Sequence, residues 1–341
     1  MSRSGLRPFI VPVFLPHQGC PHRCIFCDQH RITGHDEHPL RGAEVGRILE
    51  QALGSRAPAG AEVAFYGGTF TRLPIERMEE LLSAVQPFRG KGAVTRIRVS
   101  TRPDALDPAR LETLRRFGVT TVELGAQSMD PEVLRLAGRG HGPEATRGAV
   151  AALRGMGFKV GIQLMPGLPG DTAGTFQSTV QAVIELHPDM VRLYPAVVIE
   201  GTVMAEWYKA GRYRPLSVEE AAVQCAEACR RLEGSGIPVI RIGLLPSPDL
   251  RESGRILAGP WHPSFGSIVR ATVYRESLRH QLLQVPSGRT VQLMAPQKDI
   301  PLLRGHRNQG LAWFEAMTGS RVAAVLPDNS LPPGRIRVVE A

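Results

Sequence analysis

Cys20-Pro21-His22-Arg23-Cys24-Ile25-Phe26-Cys27 sets three thiols at C-x3-C-x2-C spacing, directly after an apolar, strand-like run from Phe9 to Phe14. Thiolates are the ordinary protein ligands of iron–sulfur clusters, and a [4Fe–4S] cube has four irons to hold. Three cysteines therefore predict a cube with one iron left open to a small molecule. On spacing alone zinc stays in play, because it usually takes four nitrogen or sulfur ligands and His17, His22 or His30 lies near enough in sequence to be the fourth. A disulfide fits less well. The chain has five cysteines, an odd number, and Phe9 to Pro16 lacks the length and cleavage site of a secretory leader, which points to a reducing compartment.

Beyond the cysteines, strand-like runs alternate with amphipathic ones. Strands are predicted at Phe9 to Phe14, Glu62 to Tyr66, Arg96 to Ser100, Thr120 to Gly125, Lys159 to Met165, Met190 to Tyr194 and Pro238 to Leu244. Helices are predicted between them at Ala43 to Gly54, Pro74 to Val85, Asp107 to Phe117, Gly142 to Met156, Thr172 to Leu186 and Val218 to Leu232. That rhythm predicts an α/β fold whose parallel sheet is closed or half-closed as a partial (β/α)6-type barrel. Chemistry in such barrels sits at the carboxyl ends of the strands, where the cysteines fall. Other strands also run into unusual sequence: Tyr66-Gly67-Gly68-Thr69, Ser100-Thr101-Arg102-Pro103-Asp104, Ala126-Gln127-Ser128 and Pro166-Gly167-Leu168-Pro169-Gly170. Singly each reads as a turn; together they mark one rim.

The 341 residues carry 41 Lys and Arg against 32 Asp and Glu, a formal charge of +9. Such a balance suits a polyanionic partner, nucleic acid first, and equally a solvated basic surface. No run approaches the roughly 20 apolar residues that span a bilayer, so a soluble, cytoplasmic chain without a membrane partner is expected. Cys225 and Cys229 stand at i and i+4 in a helical stretch and read as buried core thiols.

The cysteine motif and the rim phrases together are similar to the radical S-adenosylmethionine (SAM) superfamily, in the branch containing the catalytic subunit of Elongator, a tRNA wobble-uridine modifying complex. The phrases are CPHRCIFC (20–27), AFYGGTFTRLP (64–74), STRPD (100–104), VELGAQSMDPEVL (122–134), GRGH (138–141), VGIQLMPGLPG (160–170) and VRLYPAVVIEGTVMAEWYKAGRYRPLS (191–217). The resemblance implies that Cys20, Cys24 and Cys27 bind three irons of a [4Fe–4S] cluster while SAM occupies the fourth. It implies SAM contacts from Phe26 and Met165 at the adenine, from Gly67, Gly68 and Thr69 at the methionine amino group, and from Ser100 and Arg102 at ribose or carboxylate. Gln127 and Ser128 would border the cofactor, and Arg139 would bind its carboxylate bidentately. It also implies a reducing electron donor such as flavodoxin or ferredoxin. The acetyltransferase-like domain that follows in the Elongator subunit has no counterpart of sufficient length here, so acetyl-CoA use is not implied.

After a barrel with its Elongator-like extension at 1–280, residues 288–341 predict a small α+β segment in the order strand, helix, helix, strand. Gly305-His306-Arg307-Asn308 between its helices resembles the GxxG loop with which KH domains clamp a single-stranded nucleic-acid backbone. Asn308 replaces the second glycine and tolerates positive φ. The combined reading is an RNA-modifying radical SAM enzyme with tRNA as substrate. Two others are carried forward: radical chemistry on a small molecule such as a porphyrin-type metabolite, and a non-catalytic iron–sulfur protein that binds RNA.

Overall fold

Each barrel strand carries apolar side chains at every second position, and that alternation decides which way it faces. The computed structural model describes residues 9–21, 23–34, 38–54, 60–245, 247–248, 250, 254–282, 285 and 287–341. Strands β1 (Ile10–Phe14), β2 (Ala61–Tyr66), β3 (Val94–Thr101), β4 (Thr121–Gln127), β5 (Lys159–Leu164) and β6 (Met190–Leu193) lie side by side in chain order. A two-residue β7 (Val198–Ile199) leaves the sheet, and β8 (Val239–Ile242) returns to pair with β6. The result is a seven-stranded, wholly parallel half-barrel with β1 and β8 as its two edges.

Val11, Val13, Val63, Phe65, Ile97, Val99, Val122, Leu124, Val160 and Ile162 enter the main core, packed with side chains from the helices Gly42–Ala52, Ile75–Ser83, Pro143–Gly155, Ala173–Leu186 and Val218–Gly234. Removing a leucine such as Leu124 from so closed a layer would cost about 2–5 kcal/mol. Helix starts are capped where the sequence supplies an oxygen: Asp130, Thr172 and Ser217 each accept a backbone N–H of the first turn, which satisfies donors the helix cannot.

The opposite set of positions faces inward and is charged. Arg98 on β3 donates through Nε and Nη2 to both oxygens of Glu62 on β2, each at 3.0 Å. Its Nη1 reaches Glu123 on β4, which also accepts from Gln163 on β5 at 3.1 Å. Arg192 on β6 stands within ion-pair distance of Glu123, 2.9 Å, and donates to the phenols of Tyr66 and Tyr194 at 2.8 and 3.0 Å. Glu62 and Glu123 are 1 % exposed, so this lattice is the filling of the barrel.

The helix Phe265–Leu282 has no counterpart in the sequence-based expectation. Its apolar residues are spread around the axis because its first half joins the barrel core through Phe265 and Val269, while Tyr274, Leu278 and Leu282 belong to a second core. That second core lies under β10 (Thr290–Ala295), with β9 (Ile256–Ala258) having paired antiparallel to β7 before it. Strand β11 (Arg321–Pro327) runs parallel to β10 and β12 (Arg337–Glu340) antiparallel to it. Between β10 and β11 stand the helices Ile300–Arg304 and Gln309–Thr318. They cross at Gly310, where a Cβ would sit 1.9 Å from the Leu303 carbonyl oxygen. One helix therefore joins the two cores.

Breaking a buried ion pair from one side strands its partner. Arg98→Met is expected to lower the unfolding free energy by about 3–5 kcal/mol, read from urea denaturation. Glu62→Met combined with Arg98→Met should recover part of that loss, because Glu123 keeps Arg192; a single variant as stable as the parent would show that the lattice does not hold the barrel together.

Candidate active site

The loop after β1 is pinned to three other elements. Gln29 Oε1 accepts the backbone N–H groups of both His17 and Gly68 at 2.6 Å, and Gln29 N donates back to His17 Nε2 at 2.9 Å. Thr69 N donates to the Gln18 carbonyl at 2.8 Å, Ile25 N to Ala137 at 3.3 Å, and Met204 N to Ile25 at 2.9 Å. The Gly-Gly turn can approach this closely only without side chains: Gly68 has φ +59°, and a Cβ there would lie 2.3 Å from the Gln18 carbonyl oxygen.

A cavity of about 1060 Å³ opens inside the half-barrel, lined by all three cysteines of the loop. Burial pushes the Cys27 thiol up to about 12, aided by the neighbouring Cys24 and Cys20. Burial also raises Cys20, although a contact with Thr69 Oγ1 at 3.4 Å works the other way. Such thiols stay neutral until a metal takes the proton's place, so loading the site releases protons. Arg139 Nη1 donates to Cys24 Sγ at 3.0 Å. Arg102 donates to Asp104 through two nitrogens, at 2.9 and 2.8 Å, and to the Arg139 carbonyl at 2.5 Å; the arrangement makes it a support for Arg139.

In the same cavity, Ser100 Oγ, Gln127 Oε1 and Arg139 Nε are buried with no hydrogen-bond partner. Gln127 sits at φ +70°, beside a register shift between β4 and β5. Non-glycine residues in that region are uncommon, and where they occur at a cavity the strain is part of the site. Buried polar atoms left unsatisfied are costly, and these point to a polar occupant.

Residues 14–183 match the family model of the radical SAM superfamily, and residues 188–275 match that of the radical SAM C-terminal domain. The chain is 39% identical over 246 residues to a tRNA uridine(34) acetyltransferase of Dehalococcoides mccartyi, covering 62% of this chain and 53% of that one. With its counterpart from Methanocaldococcus infernus it shares 30% over 252 residues, covering 62% and 47%. The solved archaeal Elp3 of M. infernus, with residues 1–46 deleted, superimposes with a TM-score of 0.61 at 25% identity, over 79% of this chain and 63% of that one.

This chain is a radical SAM enzyme of the Elongator-like branch. It spans about half the length of the curated relatives it matches. Radical SAM enzymes use a [4Fe–4S] cluster and SAM, and the residues present suit both. Among the described residues no three His, Cys, Asp or Glu side chains converge where a single ion could sit, whereas three thiols around one wall suit a cube in which each binds a different iron. His17, considered above as a zinc ligand, has its Nε2 engaged by Gln29, and its ring lies tilted against that of His30 with centroids 5.1 Å apart. His22 lies outside the described residues.

Phe26, Gly67, Gly68, Thr69, Ser100, Arg102, Gln127, Arg139 and Met165 all line the cavity. The N–H groups of Gly68 and Thr69 are engaged within the protein; an ammonium only donates, so the backbone groups suited to it are carbonyls. Ser128 is a correction. It lies off the cavity, where its Oγ meets Thr179 Oγ1 at 3.2 Å and accepts from Asp130 N at 3.1 Å. Its work is to hold the start of the helix Pro131–Leu136. Gln29 was missed, since a glutamine two residues past the last cysteine carries no motif, and the inward charges Glu62, Arg98, Glu123 and Arg192 were passed over although each stands in a strand whose neighbouring positions are apolar.

Gln127→Ala is expected to weaken SAM binding by about 1–2 kcal/mol, measured by calorimetry on anaerobically reconstituted protein, with iron content unchanged. Unchanged affinity would remove Gln127 from the cofactor wall.

Proposed function

We propose that this enzyme modifies a base in RNA, with tRNA as the substrate. When bound, the cluster and SAM would supply the radical chemistry that removes a hydrogen atom from the substrate. Cys20, Cys24 and Cys27 would hold the cluster, Arg139 would meet the SAM carboxylate, and Gln127 and Ser100 would accept from its polar groups. The apolar walls at Phe14, Val197 and Ile199 limit water around the reacting atoms. A reductant of the flavodoxin or ferredoxin class supplies the electron.

The observation that carries the RNA reading is the loop Gly305–Asn308. Gly305, Arg307 and Asn308 have φ of +64°, +48° and +60°, a tight turn between two helices of the kind a KH-like clamp needs. Around it stand Arg304, whose Nη1 reaches Asn308 Oδ1 at 3.3 Å, and Arg275, whose burial lowers its pKa. His306 packs edge-on against His262 at 4.9 Å, in the segment that follows β9. Since β9 pairs with β7, and Ile199 of β7 lines the cavity, the loop and the cavity share a connected scaffold. The relatives named as tRNA uridine(34) acetyltransferases support the same substrate class.

Reconstituted protein with SAM and dithionite should release 5′-deoxyadenosine, and Cys24→Ala should not. Transfer RNA should bind in a salt-dependent manner, and Arg307→Ala should weaken it while reducing the slope against salt by about one. Wild-type binding that is indifferent to Arg307 would overturn the clamp, and mass spectrometry of nucleosides from a deletion strain would name the base.

A further inference from the structure

The sheet ends on β8, the edge opposite the strand that leads into the cysteine loop. Arg241 on β8 pairs in register with Arg192 on β6, and in-register neighbours send their side chains to the same face of a sheet. Both line the cavity, together with Arg98, Arg102 and Arg139, and no Asp or Glu among the described residues lines it.

Four of these five guanidiniums are accounted for. Arg98 is held by Glu62 and Glu123, Arg102 by Asp104, Arg139 by Cys24 and the Gly125 carbonyl, and Arg192 by Glu123 and two phenols. Arg241 makes one bond, from Nε to the Gly243 carbonyl at 3.3 Å, and no acidic partner for it occurs among the described residues. Inside the barrel the inward carboxylates are saturated by Arg98 and Arg192, so the charge of Arg241 is left over. A guanidinium beside a low-dielectric cavity attracts a counter-charge, and its planar fork suits an oxyanion. Next to it Ile240 and Leu245 are 42 and 74 % exposed, an apolar lip at the same edge.

We propose that Arg241 seats an oxyanion, carboxylate or phosphate, carried by the molecule on which the barrel acts, with that molecule's apolar body against Ile240 and Leu245. The site is separate from the one beside Cys24 that suits the SAM carboxylate. It stands whether or not the loop at Gly305–Asn308 binds RNA.

Phenylglyoxal labelling of the anaerobically reconstituted holoprotein, scored arginine by arginine by peptide mass spectrometry, tests it. Arg241 should react while Arg98 and Arg192 resist. At fixed ionic strength, uridine 5′-monophosphate or malonate should slow the reaction at Arg241 several-fold, and chloride should not. Protection by the nucleotide but not by uridine identifies a phosphate; protection by malonate alone identifies the carboxylate of a small acid. Protection by SAM alone, or by none of these probes, or an Arg241 that never reacts, overturns the proposal. Arg307→Ala protein should show the same protection at Arg241 while losing tRNA affinity, so the two readings fail separately.

Discussion

Gln29 ties the molecule's chemistry to its fold. One amide oxygen receives N–H groups from His17, in the cysteine loop, and from Gly68, in the turn after β2, both at 2.6 Å. The loop could not otherwise lie against the Gly-Gly turn, since a short segment with free backbone donors would be left buried and unsatisfied. Gly68 in turn must be glycine, because any Cβ would strike the Gln18 carbonyl. The three thiols therefore face the cavity through contacts outside the cysteine motif itself.

The half-barrel supplies the rest through alternation. Odd positions of a strand such as β2 build the apolar layer against the helices, and even positions turn Glu62, Ala64 and Tyr66 inward. The inward layer could have been apolar, as barrel interiors often are. Here it is an ion lattice under an open cavity, which holds phenols and guanidiniums in fixed places around the volume where a substrate would lie. Replacing such a lattice by apolar residues can be neutral for stability, and the charges it fixes around the cavity suit a role in recognition.

The β/α rhythm was readable in the chain because the barrel strands are short apolar runs with turn chemistry on both sides, and the cysteines and glycines of the rim are residue types with few other uses. The helix Phe265–Leu282 was not readable, because a helix that serves two cores has no single apolar stripe. Ser128 was misplaced for a related reason: a phrase fixes the order of residues, and only the bulge that turns Gln127 inward decides that its neighbour turns away. Arg241 carried no motif at all. Its significance comes from where β8 pairs and from which carboxylates are already taken.

On the proposed reading, three cysteines leave one iron open and SAM fills it, beside Arg139 and Gln127. Electron paramagnetic resonance of the dithionite-reduced holoprotein tests it most directly. The reduced-cluster signal should have g-values that shift when SAM is added, with the shift lost on adding SAM to Cys24→Ala protein. A wild-type spectrum that SAM leaves unchanged would contradict it.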